Sequence, residues 1–153
     1  MKNARGHTVI RPATAEDALQ IAEILVEDWK MAYRGIIDSA YLDSMSVEQR
    51  YQREARRYRQ YTVAADGNEI LGFAWNALID GEEADCEIVA LYVRYAKRKS
   101  GTGRALFLHS MDTFRAAGSM KPVRGGWRIQ PRSTVITSIK PTRSKMATMY
   151  SFT

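Results

Sequence analysis

The stretch VRYAKRKSGTGRALF, Val93 to Phe107, joins the end of an apolar run to a basic turn and then to a helix-forming segment. A helix that begins here starts with backbone N–H groups that have no intrahelical partner. Its dipole adds roughly half a positive charge at that end. Gly101 and Gly103 lack a Cβ, so a ligand can approach the backbone closely and a positive φ is allowed. Lys97, Arg98, Lys99 and Arg104 add positive charge. Together these features suit a phosphate or a pyrophosphate.

Working outward, CEIVALYV (86–93) is mostly apolar and predicts the strand that feeds this turn. Residues 103–117 predict a helix, with Phe107, Met111 and Phe114 on one face and Gly118 at its C-cap. Further upstream, YTVAADGNEILGFAWNALI predicts two strands around Asp66-Gly67-Asn68, a hairpin signal. SVEQRYQREARRYRQ predicts a helix capped by Ser46 and Gln49. RGIIDSAYLDSMS predicts a loop with a short helical turn. HTVIRPAT alternates like a first strand, and a helix follows it with Thr14 as N-cap and Asp17 three residues on. Ile21, Leu25, Asp28/Trp29 and Ala32 form that helix's stripe. The order β-α-α-β-β-β-α predicts a mixed α/β domain.

The 153 residues suit one domain, 1–153, and 45% hydrophobic residues can build a core. No apolar run approaches the ~20 residues of a membrane span. MKNARGHTVIRPATAED lacks the apolar centre of a secretory signal. Cys86 is the single cysteine, and His7 and His109 lie far apart without ligands at metal spacing, so no metal is expected. The expectation is a soluble, cytoplasmic protein. The net charge of +6 is uneven: residues 119–153 carry seven Lys/Arg and no Asp or Glu, and the other 118 residues sum to −1. Basicity is thus a property of the tail, which weakens any inference from it to nucleic-acid binding by the domain.

The turn lacks the Gly-x-x-x-x-Gly-Lys-Ser/Thr spacing of nucleotide-triphosphate loops. It also lacks the third glycine of the dinucleotide fingerprint. Arg98-Lys99-Ser100-Gly101-Thr102-Gly103, set between CEIVALYV and RALFLHSMDTFRAAG, resembles the Arg/Gln-x-x-Gly-x-Gly/Ala turn of the GCN5-related N-acetyltransferase (GNAT) superfamily. The resemblance extends over VIRPATAEDALQIAEIL, WKMAYRGIIDSAYLDSMSVEQR and NEILGFAWNALI, covering about residues 8–118. It implies an α+β fold: a mixed, twisted, mostly antiparallel sheet flanked by helices.

It also implies acetyl-coenzyme A as donor and a primary amine as acceptor. By the same resemblance, the backbone of Leu91, Tyr92 and Val93 pairs with the pantetheine arm. Val93 and the N–H groups of Arg98, Lys99, Ser100, Gly101, Thr102, Gly103 and Arg104 hold the pyrophosphate. Glu87, four residues before Leu91, stands where many relatives place the carboxylate that takes the amine proton, and Asp85 close by would raise its pKa by like charge. Trp29 and Tyr33, with Arg34 and Tyr41, fall where relatives wall the acceptor site. The arginines of 50–59 predict a solvated helix face.

The tail departs from the family. Relatives continue with a strand and a helix bearing Asn-x-x-Ala-x-x-Phe-Tyr, whose Tyr often protonates the thiolate; SMKPVRGGWRIQPRSTVITSIKPTRSKMATMYSFT has no such motif. Pro131 and Pro141 oppose a long helix and STVITSI is strand-like, so an extended tail is expected. A shift of reading frame near residues 119–127 would account for the abrupt change. Besides an N-acetyltransferase, two readings follow: a catalytically impaired acyl-coenzyme A-binding member, and a nucleic-acid-binding module using the tail. Pairing of the tail with a second copy, as a homodimer, is an open expectation.

Overall fold

The computed structural model describes residues 7–78 and 86–118. Four strands form one antiparallel sheet in chain order: β1 (Val9–Pro12), β2 (Tyr61–Asp66), β3 (Glu69–Leu78) and β4 (Cys86–Val93). The helices are α1 (Ala18–Ala32), α2 (Ser39–Ser44), α3 (Val47–Arg57) and α4 (Thr102–Ala116). The predicted element order and the α+β class both hold. No helix among the described residues is long and apolar enough to cross a membrane. The expected extended tail and the missing thiolate acid both fall outside the described residues, as does Asp85.

Local signals explain the starts of the elements. Asp17 turns its carboxylate back to the Thr14 N–H at 2.7 Å and is also held by Arg11 at 2.7 Å, fixing the entry to α1. Ser46 caps α3 by accepting from the Gln49 N–H at 3.3 Å. Gly67, at φ +58°, closes the β2–β3 hairpin.

The sheet has two covered faces. On one, Ile88, Leu91 and Val93 of β4 pack with Leu106, Met111 and Phe114 of α4. On the other, Ile21, Ile24 and Leu25 of α1 pack with Tyr61, Val63, Ile70 and Phe73. Period-2 alternation of the strands sends successive residues to opposite faces. Gly72 sits where β3, β4 and α4 meet: a Cβ there would lie 2.5 Å from the Tyr92 carbonyl oxygen and 3.1 Å from the Val93 Cα. Because backbone cannot yield as a side-chain tip can, Gly72→Ala is expected to cost about 1–3 kcal/mol. Urea melts would show it as a lower midpoint at an unchanged slope; a melt identical to the parent's would refute the packing assignment.

Candidate active site

β4 is not regular. Trp75 faces Ala90 and Asn76 faces Ile88, which leaves Val89 as an extra residue against β3. Such a bulge bends the strand and changes which side chains share a face. Beside it lies a cavity of about 200 Å³ between the sheet and α1/α3. Val89, Ala90 and Tyr92 of β4 line one side of it; Tyr61, Phe73 and Trp75 line another, with Leu25, Arg50 and Arg57 opposite. The aromatic rings support one another: Tyr61 packs against Phe73 at 5.1 Å and edge-on to Trp75 at 6.0 Å, and Phe73 stacks on Tyr92 at 5.2 Å. A second cavity of about 180 Å³ lies where α1, α2 and α3 meet, and Arg50 lines both.

Behind the first cavity is a buried carboxylate. Glu54 of α3 is fully inaccessible. Its oxygens accept from Tyr61 Oη at 2.6 Å and from Arg57 at 2.8 and 3.0 Å, and Arg50 Nε lies 2.8 Å away. Burial by itself raises the pKa of Glu54. The hydrogen bonds from Arg57 and Tyr61, with the charges of Arg57 and Arg50, outweigh it and hold the carboxyl below its ordinary value. Burial, then the hydrogen bond to Glu54 and its charge, push the Tyr61 phenol well up, so it stays protonated and donates. Arg57 also lies over the Trp75 ring at 5.4 Å.

At its C-terminal end, β4 runs into the basic turn. From Val89 to Val93 is about 13 Å at ~3.3 Å per residue. The helix starts one residue earlier than the sequence predicts, with Gly101 as N-cap at φ +87° and Thr102 as the first helical residue. The first helical hydrogen bond runs from the Ala105 N–H to the Gly101 carbonyl at 3.0 Å. The N–H groups of Thr102, Gly103 and Arg104 therefore precede the ladder and have no intrahelical acceptor. A Cβ on Gly101 would meet nothing within 4 Å, so the space before these amides is open.

The turn is tied down by cations that the sequence assigned to the phosphate. The Arg98 guanidinium donates to Asp28, buried in α1, and lies over the Tyr95 ring at 4.7 Å. Its own N–H donates to the Tyr95 carbonyl at 3.2 Å. Lys97 pairs with Glu69 at 3.4 Å. Arg94 donates to the Ile70 carbonyl at 3.0 Å and to Gln20 at 3.3 Å. Lys99, at φ +63°, and Arg104 are exposed at the mouth of the turn, and Ser100 donates to the Lys97 carbonyl.

Among the remaining sequence candidates, Glu87 pairs with Ala77 across β3–β4, on the sheet face that carries Trp75. It stands two positions along β3 from Trp75, at the edge of the cavity's face. Leu91 and Val93 point into the α4 side of the core, so any contact they make with a ligand is through backbone. Trp29 and Tyr33 contact each other, ring to ring at 4.7 Å, at the end of α1, and neither lines the cavity at the bulge. Arg34 pairs with Asp43 at 3.6 Å, and Tyr41 lines the second cavity. The solvated face predicted for the arginines of 50–59 holds for Arg53, Arg56 and Arg59, which are exposed, and is corrected for Arg50 and Arg57, which turn inward to Glu54. Spacing held that signal, since residues 50, 54 and 57 lie on one helix face. Tyr61 and Trp75 were read only as strand residues; their meeting across β2–β3 depends on the register.

The comparisons with known proteins agree with this geometry. A 101-residue stretch is 32% identical to a Bacillus subtilis (strain 168) protein named as the uncharacterized N-acetyltransferase YuaI; it covers 63% of this chain and 58% of that protein's length. Among solved structures, the paia N-acetyltransferase of Thermoplasma acidophilum in complex with coenzyme A matches at TM-score 0.62 and 18% identity, over 86% of this chain and 98% of that one. A GNAT family acetyltransferase of Brucella melitensis in complex with acetyl-coenzyme A matches at TM-score 0.53 and 15% identity, over 96% and 95%. These structural likenesses speak for the fold. The profile of the acetyltransferase (GNAT) family matches residues 19–123, more than half of the chain. With its bulged fourth strand leading to a glycine-capped helix, this chain belongs to the acetyltransferase (GNAT) family.

Proposed function

We propose that the protein transfers an acetyl group from acetyl-coenzyme A to a primary amine. The observation that carries this is the bulge at Val89, midway along β4, which has the cavity beside it at one end of the Val89–Val93 stretch while the amides of Thr102, Gly103 and Arg104 stand beyond the other. A pyrophosphate fits the second end: it needs convergent N–H donors, a helix N-terminus and room for close approach, and Gly101 leaves that room. Acetyl-coenzyme A, when bound, supplies the activated acetyl thioester. The chain's own residues do the rest. Gly101 to Arg104 anchor the pyrophosphate, with Lys99 and Arg104 adding charge at the mouth. The backbone of Leu91, Tyr92 and Val93 lies along the path between the two ends. The cavity holds the amine against the bulge, so that much of the rate comes from positioning. Glu87, on the same sheet face, takes the amine proton, directly or through water.

A colorimetric assay of released thiol, with acetyl-coenzyme A and an amine panel, tests the activity. Thermal shift with acetyl-coenzyme A alone tests binding. Absence of both refutes the reading. Glu87→Gln is expected to lower kcat by about 10²-fold while leaving acetyl-coenzyme A binding nearly intact, with the acidic limb of the pH–rate profile changed. An unaltered profile would remove Glu87 from the proton path.

A further inference from the structure

Acetyl transfer leaves the acceptor unspecified, but the cavity walls carry a chemical preference. The two cavities share Arg50; Arg57 lines the first and Arg53 the second. Among the described residues, no Asp or Glu lines either. Glu54 is close, but it is fully buried and its oxygens are taken up by Tyr61, Arg57 and Arg50. It neutralises one of the two guanidinium groups of the first cavity and leaves the other uncompensated on the α3 side, with Glu87 standing apart at the edge of the sheet face. Glu54 also holds both, Arg57 through two hydrogen bonds and Arg50 through an ion pair at 2.8 Å; a guanidinium has five N–H donors, and these contacts use only some of them. The planar fork left over suits a carboxylate. The first cavity holds roughly six or seven waters' worth of volume at ~30 Å³ each, about the size of an amino acid. Trp75, Phe73 and Tyr61 offer an apolar, aromatic wall for a side chain.

Resting on the acetyl-transfer reading, we infer that the acceptor is a small amine that carries a carboxylate, of amino-acid size, with its acid group on Arg50 and Arg57 and its amine toward Val89 and Ala90. A polyamine or other polycation meets two cavities whose described lining holds arginine and no carboxylate, and is disfavoured. The charges also set an orientation. The acid group is held at the helix side of the cavity, which turns the amine toward Val89 and Ala90, where the thioester of bound acetyl-coenzyme A would have to come. Transfer then forms the amide N–C bond as the thioester C–S bond breaks; the amine proton leaves to the base and the thiolate departs with coenzyme A.

The test uses the twenty amino acids with the matching amides and decarboxylated amines, and putrescine as a dication, against the full chain with acetyl-coenzyme A. The best acceptor is expected to be acid-bearing, with kcat/KM at least tenfold above its own amide and amine. Arg50→Gln, which leaves the Arg57–Glu54–Tyr61 contacts in place, is expected to raise KM for the acid about tenfold with little change in kcat, and to spare the amide. Arg50→Lys should restore part of the loss. A neutral or dicationic amine as best acceptor overturns the inference, as does an Arg50→Gln effect equal for acid and amide. If no amine is turned over, binding decides. N-acetylphenylalanine should shift the Trp75 indole N–H resonance where N-acetylphenylalanine amide does not, and equal shifts or none overturn the assignment. Failure of acetyl-coenzyme A to stabilise the protein is a separate result, which strikes the proposed function.

Discussion

Gly101→Val should no longer bind acetyl-coenzyme A. The residue sits at φ +87°, a conformation that costs a β-branched side chain on the order of 1–3 kcal/mol, and it caps α4. Its Cβ would meet nothing within 4 Å among the described residues, so the added side chain starts into open space. It occupies the open space before the Thr102, Gly103 and Arg104 amides, where the pyrophosphate must come. The parent should gain about 2.7 kcal/mol of stability at a ligand concentration 100-fold above Kd, read as a rise in Tm. The variant should melt somewhat lower without ligand and show no rise with it. If Gly101→Val binds as tightly as the parent, the phosphate lies elsewhere.

Glu54→Gln should be the most destabilising of the conservative changes. Gln keeps the shape and an oxygen for Tyr61 but removes the charge that faces Arg50 and Arg57. Removing one partner of a buried pair leaves uncompensated charge, at 3–5 kcal/mol when all groups are buried. Here the arginine side chains keep 22% and 26% of their exposure, so the lower end, about 3 kcal/mol, is expected. That is a fall in Tm of roughly 6–12 °C at 2–4 °C per kcal/mol. The pH dependence has a definite sign. The folded-state pKa of Glu54 lies below its ordinary value, so the unfolded chain takes up the proton first as pH falls. The stabilisation is complete well above the unfolded pKa of about 4.3 and is lost as pH drops through the folded value. The gap between parent and variant should therefore be full at pH 7 and narrow below about pH 4. A gap that is constant with pH would mean that the carboxylate charge contributes nothing.

Much of the architecture was legible in the chain itself. Alternation in HTVIRPAT, the mostly apolar run of 86–93, the Asp66-Gly67-Asn68 turn, the Ser46 cap and the paired glycines at 101 and 103 are local signals, each acting within a few residues. They sufficed for the element order, and the Arg98–Gly103 hexapeptide in its strand-to-helix context sufficed for the family. The roles of single side chains were less legible. Arg98 and Lys97 are indistinguishable in sequence from phosphate-binding cations. Only the packing of α1 under the turn brings Asp28 to one of them, and only the hairpin's position brings Glu69 to the other.

The cavity shows the same division. Composition and periodicity determined that α3 is a helix rich in arginine and that Tyr61, Phe73 and Trp75 lie in strands. Whether those arginines meet water or a buried carboxylate depends on which face of α3 lands on the sheet. That is set by long-range packing of α3 against α1 and by the β2–β3 register, neither of which is a local property. The bulge at Val89 is likewise invisible in CEIVALYV, because one extra residue against a partner strand exists only once both strands are paired. Local propensity thus determined the elements and the glycine-capped turn before α4, while tertiary packing alone decided which charges were consumed within the fold and which were left facing the cavity.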